Sequence, residues 1–133
     1  AGSYVDADAR ILLVLENESQ LDEAVRQLIH IGLDRIEAWI PAAEALAEAR
    51  FTTSYPRIAA TDLPAEVAVL DVRGADEFAA GHVAGARNIA YTRLAARLDE
   101  VPSAEPLYIH CASGLRAGIA AAYLASQPIK KLV

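Results

Sequence analysis

The chain has 133 residues, 54% of them hydrophobic, which suits a packed protein with a proper core. Twelve basic residues against eighteen acidic give a net charge of -6, which argues against nucleic acid or an anionic membrane as a partner. There is no apolar run of roughly 18 residues and no signal-peptide pattern, and a single cysteine excludes an internal disulfide, so we expect a cytoplasmic protein.

The first predicted elements are a strand and a helix. Ile11–Leu15 are continuously apolar, which predicts a parallel strand covered on both faces. Ser19 with Asp22 resembles a capping box, apolar residues then repeat at helical spacing, and Gly32 is a typical residue after a helix end. The sequence therefore predicts a strand followed by a helix.

A second strand and helix complete the first fifty residues. Residues 35–40 alternate as a strand does, and Pro41 suits the first position of a helix over residues 42–50. Prolines and threonines then predict a linker near residues 52–56. The first part of the chain is thus predicted to be β-α-β-α.

The next predicted strand, residues 67–72, ends at Asp71 and Arg73. Ligands of α/β proteins bind at the carboxyl edge of a parallel sheet, so these side chains could orient a binding loop. The simpler interpretation is structural: Arg73 would pair with Glu77 across the turn into a short helix over residues 76–80.

Two glycines, Gly81 and Gly85, permit tight turns after that helix, and His82 between them is expected to make a hydrogen bond that fixes the connection. A short strand over residues 87–90 and a helix that ends at Pro102 follow. We therefore treat His82 as a supporting residue.

The only cysteine, Cys111, follows an apolar strand and precedes a small polar loop and a helix running from Arg116 to about Ser126. Loop amides, the helix N-terminus and the Arg116 guanidinium would form an anion nest. We expect the pKa of the thiol to lie below its usual value of about 8.5. A buried structural cysteine is the alternative. The candidate site is Cys111 with Ala112, Ser113, Gly114, Leu115 and Arg116.

His110 is adjacent to Cys111, but strand alternation sends the two side chains in opposite directions, so we expect a poor general base. His30, His82 and His110 lie far apart in sequence and show no metal-ligand spacing. No metal site is predicted.

The order and spacing of these segments resemble the rhodanese family of sulfurtransferases over roughly residues 58 to 127. The segments concerned are Leu70 to Arg73, Glu77 and Phe78, Gly81 to Ala86, Asn88 and Ile89, and Cys111 to Arg116. The resemblance implies an α/β fold, with a rhodanese-like parallel sheet covered by helices on both faces.

The resemblance also implies a function. Cys111 would take a sulfane sulfur from a small anionic donor, thiosulfate or a thiol persulfide, and pass it to cyanide or a thiol, without a cofactor. Arg116 would orient the donor, and Asp71, Arg73, Glu77 and His82 would support the loop. Ala112 and Ala117 stand where many members have polar or basic residues, which favours a thiol persulfide over thiosulfate.

Two other functions remain open on this scaffold. Phosphatases of similar fold have one more residue between cysteine and arginine, so the shorter loop here argues against phosphate-ester or arsenate chemistry. The other hypothesis is a non-catalytic regulatory or docking module of a larger sulfur-metabolism enzyme.

Residues 1–52 can be aligned with the segment around Cys111, with Glu16 at the cysteine position. We interpret them as a degenerate, cysteine-less half module, followed by a catalytic module over residues 56–133. Residues 129–133 are expected to begin a last strand, after which the family usually has further elements. This arrangement resembles the C-terminal part of a fusion with a metallo-β-lactamase-type domain, so we expect other domains of a longer polypeptide as partners.

Overall fold

A computed structural model describes residues 1–48 and 53–127. Contacts divide the chain into two compact units, Ala1–Pro56 and Arg57–Val133. Within the described ranges, none of the helices is long and apolar enough to span a bilayer. The main elements are β1 (Ile11–Leu15), α1 (Leu21–His30), β2 (Ile36–Pro41), α2 (Ala42–Ala47), β3 (Ala68–Asp71), α3 (Ala75–Ala80), β4 (Arg87–Asn88), β5 (Leu107–His110) and α4 (Leu115–Ser126).

The first unit has the predicted order β-α-β-α, and β1 pairs with β2 in parallel. Leu12 and Val14 are each 52% exposed, so the expectation that β1 is covered on both faces is wrong. The strand instead alternates between half-buried and exposed residues. Whether this unit is a degenerate copy of a half module stays a prediction.

The two helices of the first unit begin differently from the prediction. Asn17, not Ser19, caps a short 3-10 turn over Glu18–Gln20, and α1 follows it without a side-chain cap. Pro41 ends β2 and precedes α2, which ends at Ala47 because Glu48 is extended. The predicted residues 49 and 50 of this helix lie outside the described residues.

The second unit is built on a three-stranded parallel sheet in the order β4-β3-β5. The central strand β3 is the most buried, and helix α4 contributes small and apolar side chains to the same core. Fully or nearly fully buried members of this core are Val69, Leu70, Val72, Ile89, Leu94, Ala120 and Leu124. Parallel strands combined with helices confirm the predicted α/β class.

Element boundaries in this unit follow the prediction with two differences. The strand expected over residues 87–90 pairs only at Arg87–Asn88. The helix expected before Pro102 is a 3-10 segment, Tyr91–Glu100, interrupted at Arg97, where φ is −134°. The expected last strand, residues 129–133, lies outside the described residues.

Candidate active site

Cys111 lies directly after β5, at the carboxyl edge of the sheet. β5 is in register with β3, where His110 stands opposite Asp71, so both strands end at the same edge. A short turn through Ala112 and Ser113 then leads to Gly114, whose φ of +93° lets the chain turn into α4. Parallel pairing thus brings the cysteine loop to the edge where α/β proteins bind ligands.

Backbone N–H groups surround the sulfur of Cys111. Sγ accepts hydrogen bonds from the amide of Gly114 at 3.1 Å and that of Ala117 at 3.3 Å. Burial alone would raise the pKa of the Cys111 thiol, but the amides of Ala117, Ser113, Gly114 and Arg116 outweigh it, so the pKa lies below its ordinary value. The arrangement stabilises a negative charge on sulfur.

Little of Cys111 is exposed to solvent. Cys111 is only 9% exposed, whereas Leu115, at the start of α4, is 72% exposed. The amides of the loop are directed at Sγ, so the residue is not an ordinary core cysteine. Only a small part of Cys111 is therefore in contact with solvent.

Arg116 does not stand free beside the sulfur. Its Nη1 lies 2.6 Å from Oε2 of Glu77 and its Nη2 2.9 Å from Oε1, a bidentate ion pair between α3 and α4. This contact lowers the pKa of Glu77 to about 2 and raises that of Arg116. The predicted Arg73–Glu77 pair is therefore wrong: Glu77 binds Arg116, which lies in the first turn of α4.

Arg73 binds the buried carboxylate of Asp71 instead. Its Nη2 lies 2.6 Å from Oδ2 of Asp71, which is fully buried, and its backbone N–H also donates to that carboxylate. Burial alone would raise the pKa of Asp71, but the hydrogen bonds from Arg73 outweigh it and hold this pKa below its ordinary value. Arg73 also donates to the carbonyl of Gly81 at 2.7 Å, so it joins the end of β3 to the turn after α3.

Asn88 completes this support, a role that the sequence reasoning missed. Its Nδ2 donates to the carbonyl oxygens of Asp71 at 2.9 Å and Arg73 at 3.0 Å. An amide side chain beside a strand end was the available signal, because amides often bind free backbone groups there.

The recorded contacts of the two histidines of this unit are with Asp71 and Phe78. Nδ1 of His110 lies 3.4 Å from Oδ2 of Asp71. His82 makes a hydrogen bond of the predicted kind, from Nδ1 to the carbonyl of Phe78 at 2.8 Å, and stacks on the Phe78 ring. Among the described residues, no three His, Cys, Asp or Glu side chains are grouped as metal ligands.

Arg57 is the other residue at this loop that the sequence reasoning missed. A Cβ at Gly114 would lie 2.9 Å from Nη2 of Arg57 and 3.4 Å from its Cζ, so the guanidinium covers this glycine. Arg57 precedes β3 in a segment without periodicity, and no sequence signal pointed to it.

Residues 58–133 match the model of the Rhodanese-like domain family, which covers more than half of the chain. The chain therefore belongs to this family. It is also similar to a Bacillus subtilis (strain 168) protein described as "Uncharacterized protein YqhL", with 42% identity over 53 residues. That match covers 40% of this chain and 42% of the relative, so the chain spans less than half of the relative's length.

Proposed function

We propose that this chain is a sulfurtransferase that carries a sulfane sulfur as a persulfide on Cys111. The observation that carries the proposal is the pair of amide hydrogen bonds to Sγ, from Gly114 and Ala117. They stabilise negative charge on sulfur and lower the pKa of the thiol, and a thiolate is the attacking form. Membership of the Rhodanese-like domain family supports the same reaction class.

In the first step, the Cys111 thiolate attacks the outer sulfur of the donor. A bond forms between Sγ and this sulfur, the donor's S–S bond breaks, and its electron pair leaves with sulfite or, for a thiol persulfide, with the thiolate. The terminal sulfur of the new persulfide carries the negative charge. Backbone amides of the loop from Ala112 to Arg116 stabilise it by the electrostatics of an oxyanion hole.

In the second step, cyanide or a thiolate attacks the outer sulfur of the persulfide. Thiocyanate or a new persulfide leaves, and the electron pair of the broken bond returns to Sγ of Cys111. The protein ends in its starting state, so the cycle requires no cofactor. No general base is needed, because the amides already favour the thiolate.

Intact-mass spectrometry tests this proposal. Incubation with thiosulfate, or separately with glutathione persulfide, should add one sulfur atom to the protein, and cyanide should remove it. Cys111→Ser should stay unmodified under both donors. Wild-type protein that gains no sulfur from either donor would contradict the proposal.

The second candidate is a non-catalytic regulatory or docking module of a larger sulfur-metabolism enzyme. The 9% exposure of Cys111 favours it, since a nearly closed thiol limits access for reactants. Under this proposal, Cys111→Ala would leave the activity of the full-length protein unchanged. Fusion to a metallo-β-lactamase-type domain and a cytoplasmic location remain predictions from the sequence.

A further inference from the structure

Arg116, predicted to give the cysteine loop its positive charge, and Arg73, predicted to support the loop, are each bound to a carboxylate. Arg116 forms a bidentate pair with Glu77, and Arg73 is held by the buried Asp71. A guanidinium in such a pair offers little net charge to an approaching anion. Attraction of an anionic donor therefore needs a different cation.

Arg57 is a cation in the right place. Its Nη2, Cζ and Nε lie 2.9, 3.4 and 3.9 Å from the position of a Cβ at Gly114. Arg57 is exposed. Within residues 1–48 and 53–127, it makes no hydrogen bond or ion pair with a carboxylate. Its charge is therefore available to a ligand at the loop.

This guanidinium is also close to the sulfur. The amide nitrogen of Gly114 is 3.1 Å from Sγ of Cys111. With the covalent geometry of the glycine, Nη2 of Arg57 must lie within about 9 Å of Sγ. This upper limit is close to the Debye length of about 8 Å at physiological salt, so an anion at the sulfur still experiences part of the charge of Arg57.

We propose that Arg57 recognises the peripheral negative charge of the sulfur donor. The inference rests on the proposed function and names its substrate class: an anion whose charged group lies on the far side of the transferred sulfur, as in thiosulfate. While the outer sulfur contacts Sγ, the oxyanion of the leaving group faces Arg57, and sulfite takes the electron pair there. The sequence-based preference against thiosulfate considered only residues of the loop and following helix, such as Ala112 and Ala117, whereas this cation comes from a segment before β3.

Alkylation of Cys111 tests the placement of this charge without requiring sulfur transfer. Iodoacetate and iodoacetamide react at the same carbon but differ by one negative charge, so any change in the pKa of Cys111 affects both rates equally. Arg57→Gln should lower the ratio of the iodoacetate rate to the iodoacetamide rate by about three- to tenfold. Arg57→Lys should largely keep the ratio, and so should Arg93→Gln, which removes the same charge from another exposed arginine.

Sulfur transfer tests the role in donor selection. Methanethiosulfonate has a methyl group where thiosulfate has a charged oxygen, so the two donors differ by one peripheral charge. In Arg57→Gln, kcat/KM should fall about tenfold more for thiosulfate than for methanethiosulfonate, mainly through KM. Arg57→Lys should recover most of this loss.

The two assays separate the role of Arg57 from sulfur transfer itself. Wild-type protein that takes sulfur from neither donor contradicts the proposed function and the donor role of Arg57 together. Active protein in which Arg57→Gln leaves both the alkylation ratio and the donor ratio unchanged contradicts the role of Arg57 alone. A fall in both ratios supports it, and a fall in the alkylation ratio alone contradicts the role in donor selection.

Discussion

Glu77 and Arg116 form two hydrogen bonds, of 2.6 and 2.9 Å, that join α3 to the first turn of α4. Glu77 also accepts a hydrogen bond from the N–H of Gly74 at 3.4 Å. The same carboxylate therefore binds the N-terminus of its own helix, α3, and a side chain of α4. Of the two amides that bind Sγ of Cys111, that of Ala117 belongs to this same first turn and that of Gly114 immediately precedes it. We infer that the pair positions the cysteine loop, while its charges largely cancel.

Glu77→Gln should make the free energy of unfolding less dependent on pH in the acid range. The pKa of Glu77 is about 2 in the folded protein and about 4.3 when unfolded. A depressed folded pKa stabilises the fold above the unfolded value, and this contribution is lost as pH falls from about 4.3 towards 2. Urea unfolding should therefore show wild type more stable than Glu77→Gln at about pH 7, and the difference should shrink below about pH 4.

An exposed carboxylate on the same helix, Asp76, provides the control for this variant. Asp76→Asn should leave the cysteine loop in place, since Asp76 is not part of the Arg116 pair. A Glu77→Gln variant whose stability difference stays constant from about pH 7 to about pH 2 would show that the pair does not form in solution.

The thiol of Cys111 should ionise to the reactive thiolate at a lower pH than an ordinary cysteine does. Because amide hydrogen bonds outweigh burial in setting its pKa, the midpoint of the pH dependence of iodoacetamide alkylation should lie below about 8.5. The same protein unfolded in urea supplies the control and should show the usual value. A folded-state midpoint at or above the unfolded one would contradict the amide arrangement.

The order of elements was predictable because it depends on local patterns. β5 and α4 follow from an apolar run and from the small polar loop after it, and Gly32, with φ of +81°, lies just past α1 as expected. The 3-10 segment Tyr91–Glu100 was not predictable in type, because spaced leucines report which side is buried and not which backbone hydrogen bonds form.

The pairing of charges was the part that could not be predicted. Glu77 has one arginine near in sequence, Arg73, and one far away, Arg116. Only the tertiary structure shows that it binds Arg116, while Arg73 binds Asp71. The same holds for Arg57, whose contact with Gly114 joins distant parts of the unit. Side-chain partners depend on tertiary approach, which periodicity does not describe.

Gly114→Ala should destabilise the protein by about 1 to 2 kcal/mol, because φ of +93° is costly for a residue with a Cβ. The added Cβ would also lie 2.9 Å from Nη2 of Arg57, but the flexible end of an arginine can move. The cost should therefore persist in an Arg57→Gln background. Denaturant unfolding measures it, and alkylation should show a higher pKa for Cys111 if the Gly114 amide is displaced.

Gly118→Ala is the matched control for the glycine substitution. Gly118 lies inside α4, and its added Cβ would meet nothing within 4 Å. Alanine should stabilise the helix there by about 0.5 to 1 kcal/mol. If the two glycine variants changed stability alike, backbone strain at Gly114 would not be the cause.

Asp71→Asn should be the most destabilising of these substitutions. It leaves the charge of Arg73, which is only 14% exposed, without its carboxylate partner, and the cost should be about 3 kcal/mol at about pH 7. The pKa of Asp71 lies below its unfolded value of about 3.9, so its contribution is present above that pH and is lost as pH falls through the folded value. Urea unfolding of both proteins at about pH 7 and about pH 3 measures the cost and its decline.

The control for this prediction is Asp76→Asn, which removes an exposed carboxylate from the first turn of α3 and should cost less than about 1 kcal/mol. Equal losses for the two variants would mean that Asp71 is not the buried anchor of this edge, and the support of the cysteine loop would then have to come from other contacts, such as those of Asn88 and the Glu77–Arg116 pair.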